Sequence, residues 1–320
     1  MHRFKNILYV HDESSDVCEK TLQLAIDLAE RNEGRVDLIF VIERKPTIIS
    51  SSSLILLHER LLKWARKSLR ELTDSVTVKV ELRTKVIEGI PHVEVIRDVL
   101  RNDHDLVIKP IGSDDFMDRL LGRLDMRLLR HCPCPVWLSK GDSYGAFDSV
   151  LAAVGLGDPG KRDLDSAINK QIVELAFSLC AASNAVLHMG HVWFPSYLMA
   201  YGKSIASLKG TDIDDYVSGE KDLRQGWLDG LMSKAADWVE ANIYDAVDRH
   251  THLRQGHVGQ EIAKLIVDVE ANVVILGTVA RSGMAGVIMG NKAEAILEQV
   301  TCSVLAIKPP GFVTQVELED

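Results

Sequence analysis

Two rhythms of apolar and polar positions alternate along the chain. Short, nearly continuous apolar runs occupy 6–11, 36–42 and 106–108. Between them, apolar residues recur every three or four positions. The first rhythm predicts buried strands and the second amphipathic helices. One predicted helix gathers Leu22, Ala25, Ile26 and Ala29 on a single face, and another gathers Ile168, Ile172, Leu175, Ala176 and Leu179. The predicted order is strand 6–11, helix, strand 36–42, helix 54–72, strand 76–84, a helix opened by a turn at Gly89, strand 106–108, helix, strand 135–139. The same order then returns, with strands at 150–154, 185–192, about 250–254, 273–276 and 303–307, a long helix over about 219–242, and a turn at Gly256.

The return is visible residue by residue. Phe4-Lys5-Asn6-Ile7-Leu8-Tyr9-Val10 matches Phe147-Asp148-Ser149-Val150-Leu151-Ala152-Ala153 at an offset of 143. The segments from Gly89 and Gly256 match at 167, as do Asp105-Leu106-Val107-Ile108 and Asn272-Val273-Val274-Ile275. Residues 129–140 match 297–308 at 168, with Cys134 over Cys302 and Lys140 over Lys308. The chain is therefore read as a duplicated domain. Its boundaries are 1–143 and 144–310, followed by an acidic tail at 311–320. The second copy carries about 24 extra residues, assigned to an insertion at 193–219 that holds Trp193, Phe194, Tyr197, Tyr201 and Tyr216. Packing of these aromatics against the other copy is preferred over a lid.

Strands alternating with helices imply parallel strands joined by right-handed crossovers. The fold class is α/β, two tandem doubly wound parallel five-stranded sheets. Ligands in such sheets sit at the carboxyl ends of strands, where the strand order reverses. The loops after the first and fourth strands of each copy are thus the places for a site.

Composition narrows the possibilities. Hydrophobic residues at 46% and charged residues at 26% are globular values, so disorder is excluded. No apolar run reaches membrane-spanning length, and the first residues run directly into a strand pattern without a signal-peptide core, which predicts a cytosolic protein with no membrane partner. The first 143 residues balance 23 basic against 23 acidic side chains, so the whole net charge of −9 lies in residues 144–320. With no basic stripe, nucleic acid is not expected as a partner. The five cysteines read as reduced thiols. Cys132-Pro133-Cys134 has no second pair to complete a zinc site, and no metal site is expected. His188, His191, His250 and His252 are read as sheet residues rather than ligands. The sequence carries none of the common nucleophile, zincin or Walker motifs, so no catalytic residue is assigned.

One loop carries chemistry. Gly277-Thr278-Val279-Ala280-Arg281-Ser282-Gly283-Met284-Ala285-Gly286 leads to Gly290-Asn291-Lys292 before the last helix. Glycines let the backbone approach a phosphate, and a helix N-terminus favours an anion. Gly277 to Ala280, nine further residues, then Gly290-Asn291 resembles the nucleotide loop of the universal stress protein family, G-x-x-G, nine residues, G-[S/T]. The duplication and the His131–Trp137 run resemble the tandem, two-domain type of that family. The resemblance implies the adenine nucleotide α-hydrolase-like, universal stress protein fold and a stress-related binding or regulatory role. It also implies ATP, with or without Mg²⁺, as a ligand of the second copy. The residues it implicates are Gly155, Val192, Leu276, Gly277, Thr278, Arg281, Gly290, Asn291 and Lys292. It further implies that the fifth strands form the contact between copies, as between subunits of single-domain relatives; a homodimer is also allowed.

The match departs from the pattern at three positions. Ala280 replaces the motif's second glycine, Asn291 replaces its hydroxyl residue, and Gly155 stands where an aspartate usually ends the first strand. The first copy keeps that aspartate as Asp12 but has Pro110 in place of the first glycine, with Asp114 and Asp115 following. It is read as a structural copy that binds no nucleotide. Two other functions remain open, a slow ATPase or adenylyl-transfer enzyme and a carrier of an apolar or lipid-like metabolite.

Overall fold

The computed structural model describes residues 4–12, 17–43, 52–111, 122–141, 146–155, 167–195, 210–278 and 289–318. The first half contains β1 (Asn6–Val10), α1 (Cys18–Arg31), β2 (Arg35–Glu43), α2 (Ser52–Asp74), β3 (Glu81–Gly89), α3 (Pro91–Asn102), β4 (Leu106–Pro110), α4 (Arg123–His131) and β5 (Val136–Ser139). The second contains β6 (Ser149–Ala153), α5 (Ala167–Ser183), β7 (Val186–Trp193), α6 (Gly210–Trp238), α7 (Ala241–Ala246), β8 (Arg249–Gln255), α8 (Val258–Asp268), β9 (Val273–Gly277), α9 (Asn291–Leu297) and β10 (Ser303–Ile307). The ten strands form one sheet in the order β3-β2-β1-β4-β5-β10-β9-β6-β7-β8. Within each half the strands are parallel, and β5 meets β10 antiparallel.

Helices cover both faces, which is why the central strands read as continuous apolar runs. Ile7 and Tyr9 point into one core with α1 and α5, while Leu8 and Val10 point into the other with α3 and α4. Every residue of β4, β5 and β10 is buried, whereas the edge strands β3 and β8 are largely half-exposed.

The duplication is written into local geometry as well as sequence. Gly89 and Gly256 both adopt positive φ, at 155° and 151°. A Cβ there would lie 2.6 Å from Glu94 Cγ and 2.8 Å from Glu261 Cγ, respectively, so both the backbone and the packing favour glycine. The Asp105 carboxylate accepts the N–H groups of Lys5 at 2.7 Å and Asn6 at 3.1 Å. Its counterpart Asn272 accepts those of Asp148 at 2.8 Å and Ser149 at 3.0 Å, clamping the start of β6 in the same way.

At the seam Leu138 pairs with Val304, Trp137 with Leu305, and Val136 with Ala306. Since 136 and 138 correspond to 304 and 306 in the repeat, the pairing is self-complementary, as across a two-fold axis. Lys140 Nζ donates to Thr301 O at 2.7 Å, and Lys308 Nζ donates to Leu129 O at the end of α4. The Arg130 guanidinium also pairs with Glu294 across the seam. The pairing leaves neither β5 nor β10 as an open sheet edge. The tail returns to the first half, where Glu317 O accepts from Arg97 Nε at 3.1 Å.

Some expected boundaries change. The strand expected at 76–84 is paired only over Glu81–Gly89. Val76 and Val80 do pack on the core, so their alternation signals burial, but the reach of β2 determines where hydrogen bonding starts. The helix expected at 219–242 begins at Gly210 and ends at Trp238. Tyr216 of the supposed insertion is therefore helical, while Tyr197 and Tyr201 lie outside the described residues. Trp193 ends β7 with the Arg224 guanidinium 5.4 Å from its ring centroid, and Phe194 stacks on His257 at 5.5 Å. These two aromatics pack within their own half, in contrast to the expected packing against the other copy. Among the described residues, no helix is long and apolar enough to cross a membrane.

Candidate functional site

In each half the chain lays down three strands in one direction and then crosses back, so the order reverses between β1 and β4 and again between β6 and β9. The two crevices at these strand ends are equivalent in topology but different in content.

The second crevice is bordered by Gly155 after β6, Val192 near the end of β7, and Gly277-Thr278 at the end of β9. Gly155 is exposed, and a Cβ built on it would meet none of the described residues within 4 Å. Its backbone is held by the buried Asn169 of α5, whose Oδ1 accepts from Gly155 N at 3.3 Å and whose Nδ2 donates to Gly155 O at 3.1 Å. Gly277 has a different constraint. A side chain there would meet Ile168 Cγ1 at 2.8 Å, so close packing of α5 requires the glycine irrespective of any ligand.

Thr278 is wholly buried and its polar atoms are engaged. Its N–H donates to Ile307 O at 3.1 Å, its carbonyl accepts from Gly290 N at 3.0 Å, and its hydroxyl accepts from Lys308 Nζ at 2.6 Å. Thr278 thus pins the base of the glycine loop. Arg281 lies outside the described residues. Leu276 and Val192 bury their side chains in the core, which leaves main-chain atoms as their means of touching a ligand. Gly290 is the N-cap of α9; Asn291 is its first helical residue, and its side chain and that of Lys292 are exposed.

His191 lies beneath this crevice. Its Nδ1 is 3.1 Å from Val154 O, and because a carbonyl only accepts, Nδ1 carries the hydrogen. Burial, helped by the charges of Arg224 and Lys292, pushes its pKa down to about 4. Arg224 lies over the Trp193 ring at the end of β7 and is ion-paired with Glu220 at 3.2 Å. The sequence reading named Lys292 but missed Arg224, Asn169 and Lys308. Arg224 sits mid-helix outside any motif, while the match of Lys140 with Lys308 was a usable signal that had not been connected to a site.

The first crevice is filled by its own side chains. Lys109, at the repeat position of Leu276, turns its ammonium inward and is 3% exposed. It lies 2.5 Å from Asp12 Oδ2 and 3.0 Å from Asp125 Oδ1, and it donates to Pro110 O at 3.0 Å. Burial alone would lower the lysine's pKa, but Asp125 and Asp12 more than offset it and hold it above the usual lysine range. Asp125 also accepts Gly122 N at 3.0 Å, tying the start of α4 to the same cluster. Around it, Cys18 Sγ donates to Asp12 O at 2.9 Å, Tyr9 OH to Cys18 O at 2.9 Å, and Thr21 Oγ1 to Ser139 Oγ at 3.2 Å. His11 Nε2 and Ser68 Oγ are 3.0 Å apart. The aspartate associated with nucleotide in the family pattern is here the counter-ion of an internal lysine.

The profile of the universal stress protein family matches this chain twice, over residues 3–140 and 163–308. The universal stress protein E homolog of Haemophilus influenzae is 26% identical over 320 residues, covering 96% of this chain and 98% of its own. Universal stress protein E of Escherichia coli K12 is 25% identical over 329 residues, covering 100% and 99%. Among solved structures, a putative universal stress protein from Pseudomonas aeruginosa UCBPP-PA14 superposes with a TM-score of 0.64 at 21% identity, over 96% of this chain and 94% of that one. A universal stress protein from Archaeoglobus fulgidus gives 0.63 at 17% identity, over 97% and 98%. Both structural likenesses concern the fold. With two matched domains spanning most of its length, the chain belongs to the universal stress protein family as a tandem member.

Proposed function

We propose that the second copy (144–310) binds one adenine nucleotide, ATP with or without Mg²⁺, in a cytosolic binding or regulatory role in stress resistance, and that the first copy (1–143) is its structural partner. The observation that carries this reading is the contrast between the crevices. Lys109, Asp12 and Asp125 fill the first. In the second, no described residue would meet a Cβ at Gly155 within 4 Å, the glycine loop is tied at its base by Thr278 and Gly290, and Lys292 is exposed at the start of α9. These features suit a ligand with a flat ring and a phosphate charge.

Titration calorimetry of the full chain with ATP and Mg²⁺ is expected to give one site per chain, and Gly290→Asp is expected to weaken it by more than tenfold, since it places an anion where phosphate charge would lie. Two sites per chain, or no heat and no thermal shift at millimolar ATP, would overturn the reading. Phosphate release above that of the Gly290→Asp control would favour the slow ATPase or adenylyl-transfer alternative. A lipid-like molecule found by native mass spectrometry would favour the carrier.

A further inference from the structure

Between α4 and β5 the chain turns through Cys132-Pro133-Cys134. Cys132 ends α4, donating its N–H to Leu128 O at 2.9 Å, and both thiols are buried. The two sulfurs are 3.6 Å apart. Lys308 reaches the same place from the opposite half, donating to Leu129 O and lying 3.5 Å from Arg130 O. Its ammonium charge favours the Cys132 thiolate. Pro133, between the cysteines, lines a cavity of about 290 Å³ together with Pro135, Ile307, Lys308, Pro309 and Phe312. That is room for several water-sized molecules, each occupying about 30 Å³ in the liquid.

We infer that Cys132 and Cys134 form a peroxide-reactive dithiol that closes to a disulfide within the first copy. To close the bond the sulfurs approach from 3.6 Å to about 2.05 Å. Their roles are unequal. Burial opposes ionisation of both, but a hydrogen shared between the two sulfurs and the positive charge of Lys308 pull the Cys132 thiol below its usual range, while Cys134 is pushed up, so Cys132 is the more acidic. Thiolates are the attacking species, which makes Cys132 the first nucleophile. It attacks one oxygen of hydrogen peroxide, the O–O bond breaks, and hydroxide leaves to give the sulfenic acid, Cys132–SOH. Cys134 then attacks that sulfur, the S–O bond breaks, and the second oxygen leaves as hydroxide. The two thiol protons convert both hydroxides to water. In total, two thiols are oxidised to one disulfide and one peroxide is reduced to two waters.

The second copy cannot repeat this step at the matching place, because Val300 occupies the position of Cys132 while Cys302 matches Cys134. Cys180 is a natural control: it is buried, and burial alone pushes its thiol up. Closing the bond draws the end of α4 toward the start of β5, where Lys308 crosses the seam.

The test uses the full chain without nucleotide, so its result is independent of the ligand reading. The protein is exposed to hydrogen peroxide, denatured in an alkylating reagent, digested and analysed by mass spectrometry. The peptide holding both cysteines is expected to lose two hydrogens and resist alkylation until reduced, while Cys180 remains alkylatable. In Cys134→Ser the bond cannot close, and dimedone is expected to capture a sulfenic acid at Cys132. In Cys132→Ser, Cys134 is expected to stay a thiol. If wild-type Cys132 and Cys134 remain fully alkylatable after exposure to excess hydrogen peroxide, or if either pairs with another cysteine, the inference is wrong.

Discussion

Lys109→Ala is expected to cost the chain about 3–5 kcal/mol, the usual penalty for removing one partner of a buried ion pair. The Asp125 side chain is only 2% exposed, and without the ammonium it would face Asp12 as an uncompensated charge in the same crevice. Loss would extend beyond one contact, because Asp125 also holds Gly122 at the start of α4. A triple variant, Lys109→Met with Asp12→Asn and Asp125→Asn, removes all three charges and is expected to recover much of the loss, since a neutral replacement of a buried charged cluster is often tolerated. Urea unfolding of the full chain measures both. If Lys109→Ala unfolds at the wild-type midpoint, Lys109 does not hold the first crevice closed.

The second large effect is an acid one. Burial pushes the pKa of His11, His188 and His191 down to about 4 in each case. In the unfolded chain each returns to about 6.5. Between these values the unfolded chain binds more protons than the folded one, so stability rises with pH in that window. The stabilisation is complete above about pH 6.5 and is lost as pH falls toward about 4. For the buried His11 and His191 the loss approaches roughly 3 kcal/mol each at the acid end. His188 is more open to water and contributes less. His188 also meets His252, with Nδ1 and Nε2 2.9 Å apart, so one of these nitrogens must stay unprotonated to accept the bond. Unfolding free energies at several pH values between 7.5 and 4.5 are expected to fall steadily below 6.5, and His191→Gln should flatten the curve. A profile level down to pH 4.5 would mean that these rings are not held neutral.

Much of the architecture was legible in the sequence because it depends on local period. Leu22, Ala25, Ile26 and Ala29 lie on the buried face of α1, as their spacing implies, and the apolar runs at 106–108 and 273–276 became β4 and β9. The duplication was equally legible, and it reappears in equivalent seams, clamps and positive-φ glycines. Periodicity failed where burial and pairing separate, as at Val76 and Val80, which are apolar and packed but precede the paired part of β3.

The candidate site was legible as a pair of strand-end crevices and less so as chemistry. Strand order and glycine spacing led to the ends of β6 and β9. They also led to Pro110 and the acids after it as the reason for a silent first copy, whereas the described crevice is closed by Lys109, one residue earlier. Thr278 matched a ligand motif, yet its hydroxyl is engaged by Lys308, 30 residues away.

By itself, then, the sequence determined the elements, their duplication, the family and the two strand-end crevices, because hydrophobic period and glycine placement act over a few residues at a time. Only the tertiary structure decided which crevice is filled, which glycine is required by packing, and where the seam puts two thiols beside a lysine from the other half. Those outcomes depend on charges and side chains brought together from distant parts of the chain, and no local pattern encodes which of them will meet.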